Sequence, residues 1–287
     1  MNVYDAKSQK QNKKKPMTKQ KTKKTIFAVI NLGVPTQEQV CVATYAAKLS
    51  DYLDYDLVLY PQQSKHTSFE AAILEVKSIA KYLKTTGTIS VSKEKITLFN
   101  LKSINSIAKK AHAEMIVIGI ERGTENFLGE SIWNLTQKTL VPIMLLPYDI
   151  VFKPYETIVM SLDSTLKIQK TSLVVRLAKA FTAKINIFQE NLGNESFKMT
   201  PTINHVEKIM RIYGIYFKVE KARKNTNFPK HLCKYAAKYG DLLAIEVDPG
   251  KIDTIIKQNI ETLLTISNGS QPVLFVKTKE TGLMNYR

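Results

Sequence analysis

The feature that most constrains the fold of this chain is that it contains the same succession of segments twice. Three pairs of segments match at nearly constant shifts of 132, 127 and 130 positions: 25–31 with 157–163, 113–120 with 240–247, and 141–144 with 271–274. A shift that stays nearly constant along a chain indicates a tandem repeat. We therefore expect two copies of one fold.

Within each copy, short apolar runs alternate with segments whose apolar residues have helical spacing. In the first copy we predict strands at 25–31, 56–60, 95–99, 113–120 and 141–147, with helices at 36–53, 69–83, 101–111 and before the last strand. In the second copy we predict strands at 157–163, 184–189, 215–222, 242–247 and 272–277, with helices at 170–181, 203–213, 231–239 and before the last strand. This alternation predicts an α/β fold with two doubly wound, Rossmann-like, parallel five-stranded sheets.

Length and composition fit two domains with real cores, which we place at residues 25–147 (repeat one) and 155–278 (repeat two). The chain has 287 residues, of which 44% are hydrophobic. No apolar run approaches the roughly 18 to 20 residues that a membrane span requires, and the first residues are polar and basic. We therefore expect a soluble cytoplasmic protein without a membrane span.

The charge is concentrated at the start of the chain. Residues 1–24 contain nine lysines and one acid, Asp5, so they carry +8 of the formal net charge of +17. A lysine run without apolar periodicity predicts a disordered, solvated tail. Such a tail can contact polyanions non-specifically by counterion release, but it contains no arginine and a single aromatic residue, Tyr4, with which to read bases.

Residues with side chains suited to catalysis or metal binding are few and scattered. Cys41 and Cys233 are far apart, and each lies in a predicted helix, which favours buried free thiols. No pair of histidines has metal-ligand spacing; they are His66, His112, His205 and His231. The chain also has no nucleophile elbow and no P-loop. We therefore predict no metal, no catalytic residues and no enzymatic activity.

Two stretches carry a resemblance to a known family. The run TIVMSLDS, followed by SLVVRLAKAFTAKINIF, resembles the start of a universal stress protein domain, whose first strand ends in an aspartate. The stretch from MIVIG to VPIMLLP resembles the closing half of the same domain. On this basis the chain is identified as a tandem, two-domain member of the family. The resemblance implies an adenine nucleotide alpha hydrolase-like fold and a role in stress response or signalling.

The resemblance also identifies a candidate nucleotide site in the first copy. Nucleotide-binding members have a loop of pattern G-x2-G-x9-G-S/T, whose glycines let the backbone wrap the phosphates, and an aspartate at the end of the first strand. Gly119 matches the first glycine of this loop, Gly129 matches the last, and Gly123 is a candidate for the second. Ser131 supplies a hydroxyl, and Asn31 stands in place of the aspartate.

This loop departs from the family pattern in length and in charge. It is three residues shorter between Gly119 and Gly129, and Ser131 comes one place too late because Glu130 follows the last glycine. Three glutamates surround Arg122, so the loop sums to −2 where a triphosphate needs neutral or positive surroundings. Bound Mg²⁺ is one way to compensate for this charge.

The second copy departs in the complementary way. Asp163 ends its first strand as in the family, but Glu246 stands where the first glycine belongs and Asp248 follows. Two carboxylates at the phosphate end repel ATP. Asp163 is then either a helix cap or a contact for a polar ligand of another kind.

Three functions remain open on the sequence. The preferred one is a non-enzymatic stress-response or signalling protein with degenerate nucleotide loops, which acts by binding partners, with proteins among the candidates. The second is an ATP or AMP sensor that holds its nucleotide, with Mg²⁺, in the first copy. The third is a basic accessory protein that its tail tethers to nucleic acid or to a membrane.

Pairing between the two copies is a further implication of the resemblance. Family members pair through their last strands, and the copies of a tandem chain can pair with each other. We predict that residues 143–146 and 273–276 lie side by side in antiparallel fashion, related by a pseudo-twofold axis. This pairing removes two exposed sheet edges, and two such chains can also associate into a homodimer.

Overall fold

Ten strands from both repeats form one continuous sheet. The computed structural model describes residues 23–62, 68–93, 101–121, 126–127, 130–131, 139, 141–162, 168–190, 200–222, 227–247 and 271–277. Most of the predicted lysine tail and the helix predicted before the last strand of repeat two lie outside these ranges. The boundaries of the two repeats stay predictions.

Repeat one supplies five parallel strands of the sheet, in the order β7-β4-β1-β2-β3. A separate antiparallel ribbon is formed by β5 and β6. The elements are β1 (Thr25–Asn31), α1 (Thr36–Leu53), β2 (Asp56–Gln62), α2 (Phe69–Tyr82), β3 (Ile89–Val91), α3 (Leu101–Lys110), β4 (Ala113–Ile120), β5 (Asn126–Phe127), β6 (Glu130–Ser131) and β7 (Ile143–Pro147).

Repeat two has the same arrangement, with parallel strands in the order β12-β11-β8-β9-β10. Its elements are β8 (Thr157–Leu162), α4 (Ile168–Phe181), β9 (Lys184–Gln189), α5 (Thr200–Ile212), β10 (Phe217–Lys221), α6 (Phe228–Tyr239), β11 (Leu242–Val247) and β12 (Val273–Lys277). The predicted doubly wound α/β plan and its tandem repetition are confirmed.

The central strands are mostly apolar because helices cover both faces of the sheet. In β1, Ile26, Ala28 and Ile30 belong to the core on one face. Phe27 and Val29 belong to the core on the other face. Side chains alternate between the faces of a strand, so a strand buried on both sides shows no alternation of apolar with polar residues.

The third strand of repeat one differs from the prediction. The prediction placed this strand at residues 95–99, which are more apolar than residues 89–91. The structure places the third strand at Ile89–Val91. Residues 95–99 lie outside the described ranges. β3 is short and only half-buried because it forms the edge of the sheet. An edge strand has one neighbour, so hydrogen bonds to β2 suffice to hold it without a long apolar run.

The two cysteines differ in burial. Cys233 is buried, as predicted, and its burial raises the pKa of its thiol to about 12. Cys41 is only partly buried, in contrast to the prediction, and its thiol donates to the carbonyl oxygen of Ile150 at 2.8 Å. Among the described helices, none is both long and apolar enough to cross a membrane.

The two halves of the sheet are joined by antiparallel pairing of β7 with β12. Val273 faces Leu145, and Phe275 faces Ile143. The predicted pairing of the last strands is thus confirmed. Helices α1 and α4 also contact each other across this junction.

Aromatic side chains and an ion pair fasten the junction next to these strands. The hydroxyl groups of Tyr45 and Tyr155 are 2.8 Å apart and buried. Arg176 on α4 donates to Glu114 of repeat one at 2.8 Å and to the hydroxyl of Tyr55 at 3.0 Å. Burial raises the pKa of the Glu114 carboxyl, but Arg176 and Lys24 together outweigh this and hold it below its ordinary value of 4.5.

Truncation of Phe275 tests the contribution of β12 to the joined sheet. Phe275 is buried at the junction, so Phe275→Ala should lower the free energy of unfolding by about 3–5 kcal/mol. Tyr82→Ala is the matched control because Tyr82 is 85% exposed, and it should cost no more than about 0.5 kcal/mol. Urea unfolding measures both values, and equal effects would contradict the observed packing of β12.

The Glu114 ion pair should make stability depend on pH. Because the pKa of Glu114 is lower in the folded state, its contribution is complete above the ordinary pKa of 4.5 and is lost as the pH falls through the folded-state pKa. Glu114→Gln should therefore reduce the loss of stability between neutral and acidic pH. Urea midpoints at both pH values measure this, and Glu70→Gln, at an exposed position on α2, should leave the loss unchanged.

Candidate functional site

The candidate site lies where the order of strands reverses in each repeat. These points are between β1 and β4 in repeat one and between β8 and β11 in repeat two. In open α/β sheets, ligands bind in the crevice outside the carboxyl ends of such strands. We call these two places crevice one and crevice two.

Two of the predicted site residues meet in crevice one. Asn31 is the last residue of β1, and Gly119 is the last but one of β4. Ser131 is in the β6 ribbon, opposite Asn126, and its side chain is outside what the structure describes. The remaining predicted site residues, namely Gly123, Gly129 and Asp163, lie outside the described residues.

The side chain of Tyr148 occupies crevice one. Tyr148 follows the end of β7, and its N–H donates to the carbonyl of Ile120 at 3.1 Å, which continues the ladder between β7 and β4. From there the ring crosses the end of β4 to β1, where the amide nitrogen of Asn31 donates to its hydroxyl at 3.2 Å. The residue is buried.

The close approach of Tyr148 explains why Gly119 is a glycine. A Cβ atom added at Gly119 would overlap the ring of Tyr148 and would lie 2.5 Å from Cγ2 of Val42. A side chain at position 119 would therefore require Tyr148 and Val42 to shift. Gly119 thus makes room for a tyrosine of the same chain, which is a different reason from the phosphate contact suggested by the sequence.

The polar atoms of crevice one are engaged within the protein. The amide oxygen of Asn31 accepts the N–H of Gly33 at 2.8 Å, while its nitrogen donates to Tyr148. Burial raises the pKa of the Tyr148 hydroxyl above 10, the hydrogen bond from Asn31 acts in the opposite direction, and the charges of Glu38 and Glu121 add to the rise. The hydroxyl is therefore neutral at physiological pH.

Crevice two contains a buried ion pair instead of a tyrosine. Glu246 in β11 takes the position that Gly119 has in repeat one, and the Nζ atom of Lys170 from α4 lies 3.3 Å from its Oε2. The two side chains are only 4% and 2% exposed, respectively. Lys170 also donates to the carbonyl of Ser161 in β8 at 2.6 Å, so it bridges the two strands that border the crevice.

In both crevices, side chains of the chain itself lie at the strand ends. In crevice one, the ring of Tyr148 covers Gly119 and its hydroxyl takes the hydrogen bond that Asn31 has to offer. In crevice two, a carboxylate stands at the phosphate end, and the only cation that the described residues bring to it is already paired.

The sequence contained a partial signal for these side chains. Glu246 replaces a glycine on an otherwise apolar strand, and a buried carboxylate requires a cation nearby. Lys170 is preceded and followed by polar residues, so nothing local distinguishes it from a surface lysine. Tyr148 follows the last strand of repeat one, where a tyrosine at a turn is unremarkable without the fold.

One cavity, of about 400 Å³, lies at the junction of the repeats and not in the crevices. It lies near the amino ends of β8 and β11, and its polar lining consists of Tyr45, Asp149, Lys153, Tyr155, Asp241 and Gln271. Asp241 pairs with Lys153 at 3.0 Å and accepts the N–H groups of Glu156 and Thr157. Among the described residues, no cluster of histidine, cysteine and acidic side chains has the arrangement of a metal site.

Comparison with known proteins identifies the fold. No family model matches the sequence, and comparison with curated proteins gives no match either. The structure is similar to a universal stress protein from Archaeoglobus fulgidus, with a TM-score of 0.61 and 11% identity over 88% of this chain and 97% of that one. It is also similar to a protein from Pseudomonas aeruginosa that is assigned to the universal stress proteins, with a TM-score of 0.57 and 12% identity over 90% of this chain and 94% of that one.

A third similar structure has another role. It is the cytoplasmic domain of a prokaryotic cation chloride cotransporter, with a TM-score of 0.53 and 12% identity over 88% of this chain and 95% of that one. The chain thus has the fold of the universal stress proteins, as the sequence predicted. The same fold occurs in a transporter domain.

The ion pair in crevice two provides a test of the site. Lys170→Met leaves the Glu246 carboxylate buried without its cation, so it should lower the free energy of unfolding by about 3–5 kcal/mol. The double variant Lys170→Met/Glu246→Met should lie within about 1 kcal/mol of wild type, because two apolar side chains replace two paired charges.

Urea unfolding at neutral pH measures this cycle. Lys48→Met is the matched control, since Lys48 is an exposed lysine on α1, and it should have little effect. A double variant as unstable as Lys170→Met alone would show that the two side chains do not depend on each other.

Proposed function

We propose that this protein is a cytoplasmic stress-response or signalling protein of the universal stress protein type, and that it acts by binding partners and not by catalysis. The observation that carries the proposal is Tyr148, which fills the crevice where nucleotide-binding members of the family hold adenine nucleotides. The fold comparison supports the family, and the closed crevices support the loss of nucleotide binding.

A nucleotide that enters crevice one has to displace Tyr148. This exposes a buried aromatic side chain, at a cost of about 1.5–3 kcal/mol, and breaks a hydrogen bond worth about 0.5–1.5 kcal/mol. These costs together weaken the apparent affinity by roughly 30-fold to 2,000-fold, because each 1.4 kcal/mol is a factor of ten. The nearby glutamates Glu38 and Glu121 oppose a phosphate as well.

The fold alone does not identify the function. It occurs in free-standing universal stress proteins and in the cytoplasmic domain of a cotransporter, and one fold commonly serves several functions. We therefore base the proposal on the crevices. The alternative, an ATP or AMP sensor in repeat one, is favoured by the meeting of Asn31 and Gly119 in crevice one and requires Tyr148 to move out.

A thermal shift titration with ATP and Mg²⁺ separates the two functions. A ligand at 100 times its dissociation constant raises the free energy of unfolding by about 2.7 kcal/mol, so a sensor should be stabilised clearly. We expect no shift for wild type or for Tyr148→Phe at millimolar ATP, because both keep the ring in the crevice. Tyr148→Ala removes the ring and should gain a shift.

The outcomes distinguish the causes. A shift for wild type at millimolar ATP or AMP would overturn the proposal in favour of the sensor. If Tyr148→Ala binds ATP no better than wild type, then the short and acidic loop also prevents ATP binding, in addition to the tyrosine.

A further inference from the structure

Repeat two carries most of the net positive charge of the two repeats, and half of its cations lie in one segment of the sequence. Repeat one has 12 Lys and Arg against 11 Asp and Glu, whereas repeat two has 18 against 11. Residues 207–238 contain nine of these cations and only two of the acids. This segment includes β10, which is the outermost strand at that end of the sheet, and α6, which follows it.

Helix α6 presents a stripe of lysines to solvent. Lys230, Lys234 and Lys238 are four residues apart and all exposed, so they follow one face of the helix at intervals of about 6 Å. The helix contains no acidic residue. Its opposite face, which includes Leu232, Cys233 and Ala236, is buried against the sheet.

Tyrosines lie beside this stripe. Tyr216 is 73% exposed, and Tyr239 is 46% exposed. The Nζ atom of Lys218 lies 5.7 Å from the centroids of both Tyr235 and Tyr239, and that of Lys238 lies 5.0 Å from Tyr239. Lys218 thus extends from β10 towards the end of α6.

Tyr216 belongs to the same surface as Lys218. Its carbonyl accepts the N–H of Ile185 at 2.9 Å, so the strand ladder reaches Tyr216, and residues two apart on a strand share a face. Glu220 lies on that face too and pairs with Lys218 at 3.1 Å. We call this surface the tyrosine-lysine face; it consists of Tyr216, Lys218, Lys230, Lys234, Lys238 and Tyr239.

We propose that the tyrosine-lysine face binds single-stranded nucleic acid. Proteins that bind single strands combine a positively charged track for the phosphates with aromatic side chains on which the bases stack. The lysine stripe of α6 supplies the track, and Tyr216 and Tyr239 supply the rings. A duplex offers no free base faces to these rings.

The composition of the tyrosine-lysine face favours a single-stranded nucleic acid over a membrane surface as its partner. A helix that lies on a membrane inserts large apolar side chains below the headgroups. The exposed side chains of α6 that the structure describes are three lysines, Ala237 and Tyr239. This set suits phosphates and bases better than acyl chains.

The inference names a partner class for the proposed function, but it rests on a different surface. The tyrosine-lysine face lies at the edge strand, whereas the crevices lie near the middle of each repeat. The ATP titration and a nucleic-acid binding experiment can therefore fail independently. The lysine tail can bind polyanions through charge alone. Substitution of the tyrosines therefore separates binding by the tyrosine-lysine face from binding by the tail.

Fluorescence anisotropy with a labelled oligouridine and the full-length protein tests the proposal. Tyr216→Ala/Tyr239→Ala should weaken binding at least roughly fivefold without changing the salt dependence, because stacking is lost while the charges remain. Lys234→Gln/Lys238→Gln should reduce the slope of log affinity against log salt by roughly 1.4, since about 0.7 counterion is released per contact with a single strand.

Matched variants in repeat one are the controls. Tyr82→Ala removes a tyrosine that is 85% exposed, and Lys77→Gln/Lys81→Gln removes two exposed lysines of α2. Both should bind like wild type. Tyr216→Trp/Tyr239→Trp keeps the aromatic rings and should restore binding, which a loss of folding in the alanine variant would not explain.

Three results would overturn the proposal. The first is the absence of binding to oligouridine at low salt. The second is wild-type affinity in Tyr216→Ala/Tyr239→Ala, which would assign all binding to charge, including that of the tail. The third is that a duplex of the same length binds the protein as tightly as the single strand does, and that the tyrosine double variant weakens the binding of both by the same factor.

Discussion

The antiparallel pairing of β7 with β12 decides how the two repeats are arranged. It turns two five-stranded sheets into one sheet of ten strands and relates the repeats by an approximate twofold rotation. The other contacts of the junction follow from it, because α1 and α4 are brought together on one face. There Arg176 of repeat two reaches Glu114 of repeat one, and Tyr45 meets Tyr155.

Much of this architecture was predictable because it depends on patterns that repeat along the sequence. The apolar runs and helical spacings give β1 and α1 with the bounds that the structure has, and the doubled pattern leads to the pairing of the last strands. The edge strand β3 was not predicted, since one hydrogen-bonded neighbour holds it without a strong apolar pattern, and the strand predicted at 95–99 lies outside the described residues. The side chains that fill the crevices come from segments remote in sequence, so no local pattern shows their proximity.

Chemically different side chains lie at the strand ends of the two crevices. In repeat one a neutral ring packs against a glycine and accepts a hydrogen bond from Asn31. In repeat two a lysine and a glutamate neutralise each other out of contact with water. A glycine retained at a family position therefore does not by itself indicate a retained ligand: Gly119 is explained by Tyr148. The sequence placed the candidate site at the strand ends, and ligand binding there stays a prediction; which side chains lie at those strand ends depends on tertiary contacts.

The arrangement of the sheet also affects how the protein resists aggregation. An exposed strand with free N–H and C=O groups can pair with a strand of another molecule. In the sheet that the structure describes, the apolar strands β7 and β12 cover each other's edges, and β3 and β10 are the outermost strands. β3 has only three residues, and β10 carries Lys218, Glu220 and Lys221. Short or charged strands at both ends disfavour growth of the sheet from one molecule into the next.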